Sequence, residues 1–365
     1  MATTERIRSI DVVRGAIMVL MAIDHVRVYS GVPAVSPEPA VFLTRWITHF
    51  CAPGFVFFAG TSAYLHGVAA GRGTLARFLL VRGLLLVVLE LTVIKAAWTF
   101  GLDYSQFVLL GVIWMLGWCM VAMAAIVYLP LPAVAAIGVG MMAAHQLFGR
   151  VSAGWPWELI YPSGGETPPP LVVLYTLVPW LGVMAAGYAF GHLLRGSEPR
   201  RRRWCLGIGL AATLAFVVGA AVTTSAAGGE LPPVLAALNQ SKYPPSQLFL
   251  LMTLGPLIAL MPLAERARGL AGRVLETFGR VPMFYYLCHI PLIHALALAV
   301  GWLREGAVHG EWYATAPYVR LAPEHRWSLW LLYAAFAVAV ALLYPLCRWF
   351  ADLKARHRSG WLRYL

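Results

Sequence analysis

The chain has 365 residues, of which 60% are apolar and 12% charged, and its mean hydropathy is +0.72. A soluble domain carries about 45–50% apolar residues even with glycine counted, and about 25% charged. These values exclude a soluble globule, a disordered or collagenous chain and a disulfide scaffold, and they predict an all-α polytopic membrane protein. The net charge of +12 is expected in loops that fix topology and touch anionic lipid, with no nucleic-acid partner.

A hydrocarbon core of about 30 Å needs about 20 apolar residues per helix. The sequence predicts about ten spans, at 7–29, 42–68, 75–100, 106–128, 132–147, 171–194, 204–224, 247–264, 278–303 and 328–349. The first is expected to be a retained span rather than a cleaved signal, because Asp11, Arg14 and Asp24 interrupt it. With the N-terminus in the cytoplasm, alternation places 19 of the 28 Lys and Arg inside and 8 outside, with Arg14 within the first span. The inner set runs from Arg6 and Arg8 through Arg200–Arg203 and Arg280 to Arg358 and Arg363. This asymmetry fits both termini being cytoplasmic. The simplest partition is one transmembrane domain over residues 1–365. The opposite-side loops 155–170, 228–245 and 301–326 are rich in Pro, Gly, Trp and Tyr. They would either cap a cavity or anchor the helices at the interface.

Charged side chains inside spans cost about 2.5–3.5 kcal/mol each on insertion scales, so they point to partners or to function. On the first span, His25 lies about 20° round the helix from Arg14 and about 16 Å along it, with Asp11 near the same stripe. Asp24 falls on another face. One side of this helix is therefore expected to line a water-accessible passage from a basic mouth at Arg14 to the imidazole of His25. Asp11 and Arg14 equally suit an ion pair at the interface, and His25 a buried core histidine. The second span sets His49 before Pro53, whose ring frees a backbone carbonyl, while Gly60-Thr-Ser62 suits close helix packing. In the third span Glu90 needs a partner, with Arg14, His25 and His49 as candidates, and Lys95 is expected to reach outward. The ninth span carries Tyr285 and His289 on one face and His294 beyond Pro291. No HExxH-like spacing supports a metal, and no phosphate-loop, dinucleotide or nucleophile-elbow motif is present. The five cysteines sit in or beside apolar runs and read as small buried hydrophobes.

Several segments resemble one family. They are Arg8-Ser-Ile-Asp11-Val-Val-Arg14-Gly15 with Asp24-His25, Thr48-His-Phe-Cys-Ala-Pro-Gly-Phe-Val-Phe-Phe-Ala-Gly60, Lys242-Tyr-Pro-Pro-Ser246, and Gly279-Arg-Val-Pro continuing to His289-Ile-Pro-Leu-Ile-His294. Together they resemble bacterial membrane proteins of the heparan-α-glucosaminide N-acetyltransferase catalytic-domain family. The lysosomal relative moves an acetyl group from acetyl-CoA across a membrane onto a terminal glucosamine. A related superfamily of bacterial membrane acyltransferases carries an Arg-x10-His pattern in its first span, which Arg14 and His25 match. The sequence also departs from the lysosomal pattern. No histidine falls at 37–42, where that enzyme's catalytic histidine would align, and the family's second-span aspartate falls at His49.

The resemblance implies a multi-pass protein of the bacterial inner membrane. It would transfer an acyl group from cytoplasmic acetyl-CoA or another acyl-CoA to an amine or hydroxyl of an envelope glycan or similar small-molecule acceptor. His25, His49, Asp24 and Glu90 are the candidate catalytic residues. Arg14, Asp11 and Arg280 would hold the acyl-CoA, and His289, His294, Tyr285 and Lys242 the acceptor. No metal is expected, and the oligomeric state, homodimer included, stays open. Two other readings remain: a small-solute or proton-coupled transporter, since buried histidines and carboxylates also build proton relays, and a non-catalytic protein that binds lipid or glycan.

Overall fold

The computed structural model describes residues 7–34, 36–226, 231–357 and 360–364. Arg6, Arg358 and the start of the 228–245 loop lie outside the described residues, as does the side chain of Arg363. The architecture is helical: α1 (Arg8–Ser30), α2 (Pro39–Trp46), α3 (Cys51–Ala70), α4 (Arg72–Leu89), α5 (Lys95–Thr99), α6 (Val112–Ile126), α7 (Leu131–Ala144), α8 (Trp155–Glu158), α9 (Trp180–Leu193), α10 (Glu198–Ala226), α11 (Pro233–Leu238), α12 (Gln247–Ala259), α13 (Met261–Arg266), α14 (Gly269–Arg280), α15 (Pro282–Glu305) and α16 (Leu329–Arg356). A 3₁₀ turn (Ile47–Phe50) runs α2 into α3, and a π-helical segment (Glu90–Ile94) runs α4 into α5. Two short strands, β1 (Val108–Leu110) and β2 (Leu171–Val173), pair in parallel with Val108 opposite Leu171.

Six described stretches are long and apolar enough to cross a bilayer: Pro39–Ala70, Leu131–Arg150, Glu198–Thr224, Gln247–Arg266, Pro282–Glu305 and Leu329–Arg356. Four of the ten expected spans fall short of that measure for identifiable reasons. Charges interrupt α1 and α4. The stretches 106–128 and 171–194 each begin as strand, so helix starts only at Val112 and at Trp180. Residues 269–280 were expected as an inner loop running into the ninth span, yet they form α14, whose apolar face packs on α1.

α1 lies at the centre, packed by α3, α13, α14, α15 and α16. The α1–α14 crossing depends on two glycines. A Cβ on Gly15 would strike the Leu275 carbonyl, and one on Gly279 would strike the Asp11 carbonyl, so only a bare backbone allows this approach. Gly60 and Gly187 do the same for α3 and α9, against the carbonyls of Met184 and Phe57. At its far end α1 stops at Gly31, whose φ of 69° is a left-handed cap. The buried side chains form one continuous cluster from Ile10 to Ala351. α10 presents the reverse of a soluble surface. Leu214 is 64% exposed and Val222 68%, which an aqueous surface would disfavour and lipid accepts.

Candidate active site

The first charged cluster is a basic cavity beside the first half of α1. Its volume is about 270 Å³, and its walls include Arg14, Ser62, Arg82, Arg280, Tyr286 and Lys354. Arg14 is bonded to the Ser62 hydroxyl, donates to the Phe58 carbonyl at 3.3 Å and lies 3.8 Å from Asp11 Oδ1. The Asp11–Arg14 pair, one of the two readings of these residues from sequence, is present, and α3 supplies further partners to Arg14. Arg82 reaches the same cavity from α4, with its Nε buried and unbonded. No carboxylate is among the lining residues. Four cationic side chains with an orphaned guanidinium N–H in the wall suit a ligand bearing several negative charges.

The cavity stops short of His25. Met18, Ile113 and Tyr286 bound it, and the Tyr286 ring stands 6.4 Å from the imidazole of His25. The open passage expected along α1 thus extends over its first part only, with Tyr286 between cavity and imidazole.

His25 is half-buried and held by rings: Trp98 edge-on at 4.8 Å and His289 stacked at 4.7 Å. Its Nδ1 lies 2.6 Å from His289 Nε2. The other ring nitrogen of His289, Nδ1, faces two carbonyls of its own helix, Tyr286 O at 2.7 Å and Tyr285 O at 3.1 Å. Carbonyls only accept, so His289 Nδ1 must carry a proton, and in the neutral ring Nε2 is the acceptor. His25 therefore donates from Nδ1, which assigns the lone pair of the neutral imidazole to its Nε2. α15 fixes this tautomer because the i to i−3 and i−4 carbonyls sit beneath His289 one turn earlier.

A second imidazole cluster lies about ten residues further along α1 than Arg14. Asp24 accepts from Arg27 Nε and Nη2, both at 3.1 Å, and lies 4.0 Å from Arg45 Nε. Arg45 donates to His49 Nδ1 at 2.9 Å and to Thr48 Oγ1 at 3.1 Å. A guanidinium cannot accept, so Nδ1 of His49 does, and its proton sits on Nε2. His49, with its proton on Nε2, lines a separate cavity of about 160 Å³ together with Arg45 and Lys242. Asn239, Gln240, Lys242 and Tyr243 come from the loop expected to cap a cavity.

The remaining candidates have structural partners. Glu90 approaches none of Arg14, His25 or His49. Its Oε2 accepts from the backbone N–H of Ile113 at 3.2 Å, capping the start of α6 as a side chain supplied from another helix. Lys95, expected to reach outward, is buried with its Nζ 4.1 Å from the centre of the Phe107 ring. His294 stacks on Phe100 at 3.8 Å and on Tyr29 at 5.0 Å, and belongs to an aromatic core rather than to a cavity wall. Tyr285 is fully buried with an unbonded hydroxyl, stacked on His289 at 5.3 Å; it lines neither cavity. Among the described residues, no group of three His, Cys, Asp or Glu is placed to hold a metal ion.

Three residues were not singled out from sequence. Arg82 sits inside an apolar run, where any arginine is a functional pointer. Arg45 stands four residues before His49 on the same helix face, a spacing that signals contact. Tyr286 carried no signal beyond its neighbours.

No curated protein matches the chain. The family model described as Heparan-alpha-glucosaminide N-acetyltransferase, catalytic, matches residues 6–221. That region holds Arg14, His25, His49 and Arg82, while His289, Arg280 and Lys242 lie beyond it. The chain belongs to the heparan-alpha-glucosaminide N-acetyltransferase catalytic family, a family of membrane acetyltransferases.

Proposed function

We propose that the chain is a membrane acyltransferase that takes an acetyl or other acyl group from acyl-CoA and passes it to an amine or hydroxyl of an envelope glycan or similar acceptor. The observation that carries this reading is the pairing of a basic cavity with an imidazole whose basic nitrogen is fixed. Arg82, Arg280, Lys354 and Arg14 would hold the CoA phosphates by charge-assisted hydrogen bonds, and the pantetheine arm would run past Tyr286 toward His25. The acceptor N–H or O–H gives its proton to His25 Nε2 as its heteroatom attacks the thioester carbonyl. The tetrahedral intermediate then expels the CoA thiolate, and His25 returns the proton to sulfur. The products are the acylated acceptor and CoA thiol, with no other reactant required.

His289 keeps the His25 tautomer correct, in the way a second group orients a catalytic base elsewhere. In the same reading the fold is one domain with ten crossings and both termini cytoplasmic, in a bacterial inner membrane. The Arg14 cavity then opens where acyl-CoA is made. The test is acyl transfer from radiolabelled acetyl-CoA by the full chain in nanodiscs, against His25→Ala. The reading requires the variant to bind CoA and to lose transfer.

A further inference from the structure

The cavity at His49 carries more positive charge than its surroundings neutralise. Arg27, Arg45 and Lys242 gather round one carboxylate, Asp24, whose Oδ1 is already engaged by Arg27 at 3.1 Å. Lys242 is 7% exposed. Among the described residues no carboxylate lies within 4 Å of it; its Nζ instead faces the rings of Tyr243 at 5.2 Å and Tyr175 at 5.8 Å. Buried ammonium groups are ordinarily paired, because desolvation penalises an uncompensated charge heavily. Arg45, Lys242 and His49 all line one cavity of about 160 Å³ with Asn239 beside them, and none of the lining residues is acidic. That volume exceeds the roughly 10–15 Å³ one water needs by an order of magnitude, so the space is large enough for a molecular group.

We propose that this cavity is an oxyanion subsite, which selects acceptors bearing a carboxylate, sulfate or phosphate. Lys242 would supply a point charge, Arg45 a planar donor pair and His49 a neutral donor. As a statement about the acceptor this rests on the acyl-transfer reading; as a statement about anion binding it stands alone.

The test is titration of the full chain, in phosphatidylcholine nanodiscs, with glucuronate and with glucose, followed by tryptophan fluorescence, since Trp46 lines the cavity. CoA titration of the same samples reports the other cavity. Glucuronate is expected to bind at least tenfold more tightly than glucose, and its affinity to fall as salt rises. Lys242→Gln is expected to lose tenfold or more of the glucuronate affinity and Lys242→Arg to keep most of it, both with CoA binding unchanged. Equal binding of glucuronate and glucose would overturn the proposal, as would glucuronate affinity unaltered in a Lys242→Gln variant that still binds CoA. Should Lys242→Gln not fold, Asn239→Ala, which removes another polar group from the cavity wall, is expected to weaken glucuronate binding more than glucose binding, and equal effects on the two would overturn the proposal. An anion response seen only when phosphatidylglycerol replaces phosphatidylcholine would assign the site to a lipid headgroup and overturn the acceptor selection. Failure of CoA binding with glucuronate binding intact would contradict acyl transfer and leave the anion site standing.

Discussion

The ring of His25 meets the ring of His289 through a single 2.6 Å contact, Nδ1 to Nε2, and the direction of that bond is set by the carbonyls beneath His289. A residue outside the matched region, 6–221, therefore decides which nitrogen of a residue inside it is basic. Removing the acceptor frees His25 to adopt either tautomer. His289→Ala is expected to lower acyl transfer by about tenfold to a hundredfold, part of the roughly 10²–10⁴-fold that a positioned general base contributes. His289→Gln is expected to recover part of the loss, because its amide oxygen can accept the same proton. Single-turnover rates of the two variants check this; equal loss in both would show that His289 matters for packing alone.

Arg82 and Arg280 present the second prediction. Each would make a charge-assisted hydrogen bond to CoA, of about 1.5–3 kcal/mol, so Arg82→Ala and Arg280→Ala are each expected to weaken CoA binding about tenfold or more. Pantetheine, which lacks the nucleotide phosphates, is expected to bind the variants as it binds the parent. Calorimetric titration distinguishes the two ligands, and a matching loss for pantetheine would contradict phosphate recognition.

How much of this was legible in the residues follows a physical line. The all-helical membrane class is set by composition, and the Asp11–Arg14 pair by helical spacing. The expected partners of Glu90 were wrong because its acceptor demand is met by backbone N–H groups, which no side-chain pattern encodes. α14 was hidden because a short amphipathic helix rich in arginine and glycine resembles a basic loop. The imidazole pair joins residues 264 positions apart, and single-sequence periodicity has no means of pairing two such helices. The division into two cavities likewise depends on how loops fold back onto α1.

The glycine crossings give a prediction about stability. Gly279→Ala places a methyl against the Asp11 carbonyl, and overpacking of this kind costs about 1–3 kcal/mol. Gly140→Ala on α7 meets nothing within 4 Å and is expected to be neutral or slightly stabilising, through helix propensity. Thermal unfolding in detergent should separate them, Gly279→Ala melting several degrees lower; equal melting would refute the crossing as a packing constraint.

Glu158 sets a pH dependence in the 158–165 loop. Burial would push its carboxyl up, but hydrogen bonds from the Ser163 hydroxyl and amide and from the Gly165 amide outweigh it and hold the group below the usual carboxylate value of 4.5. A group lowered in the folded state stabilises above its unfolded value and loses that contribution as pH falls through the folded one. Hydrogen exchange at Ser163 and Gly165 is therefore expected to show full protection at neutral pH, declining below about pH 4.5, relative to residues elsewhere. Glu158→Gln should abolish the difference. Protection that is flat with pH in the parent protein would argue against the carboxylate as the loop's anchor.

The most direct measurement is acceptor-dependent release of CoA thiol from acetyl-CoA by the purified full chain, read with a thiol-reactive dye alongside CoA binding. The parent protein is expected to bind acetyl-CoA and release thiol when an amine or hydroxyl acceptor is supplied, and His25→Ala to bind it equally and release about a hundredfold less or lower. A parent chain that binds no acyl-CoA, or a His25→Ala variant that releases thiol at the parent rate, would contradict the account.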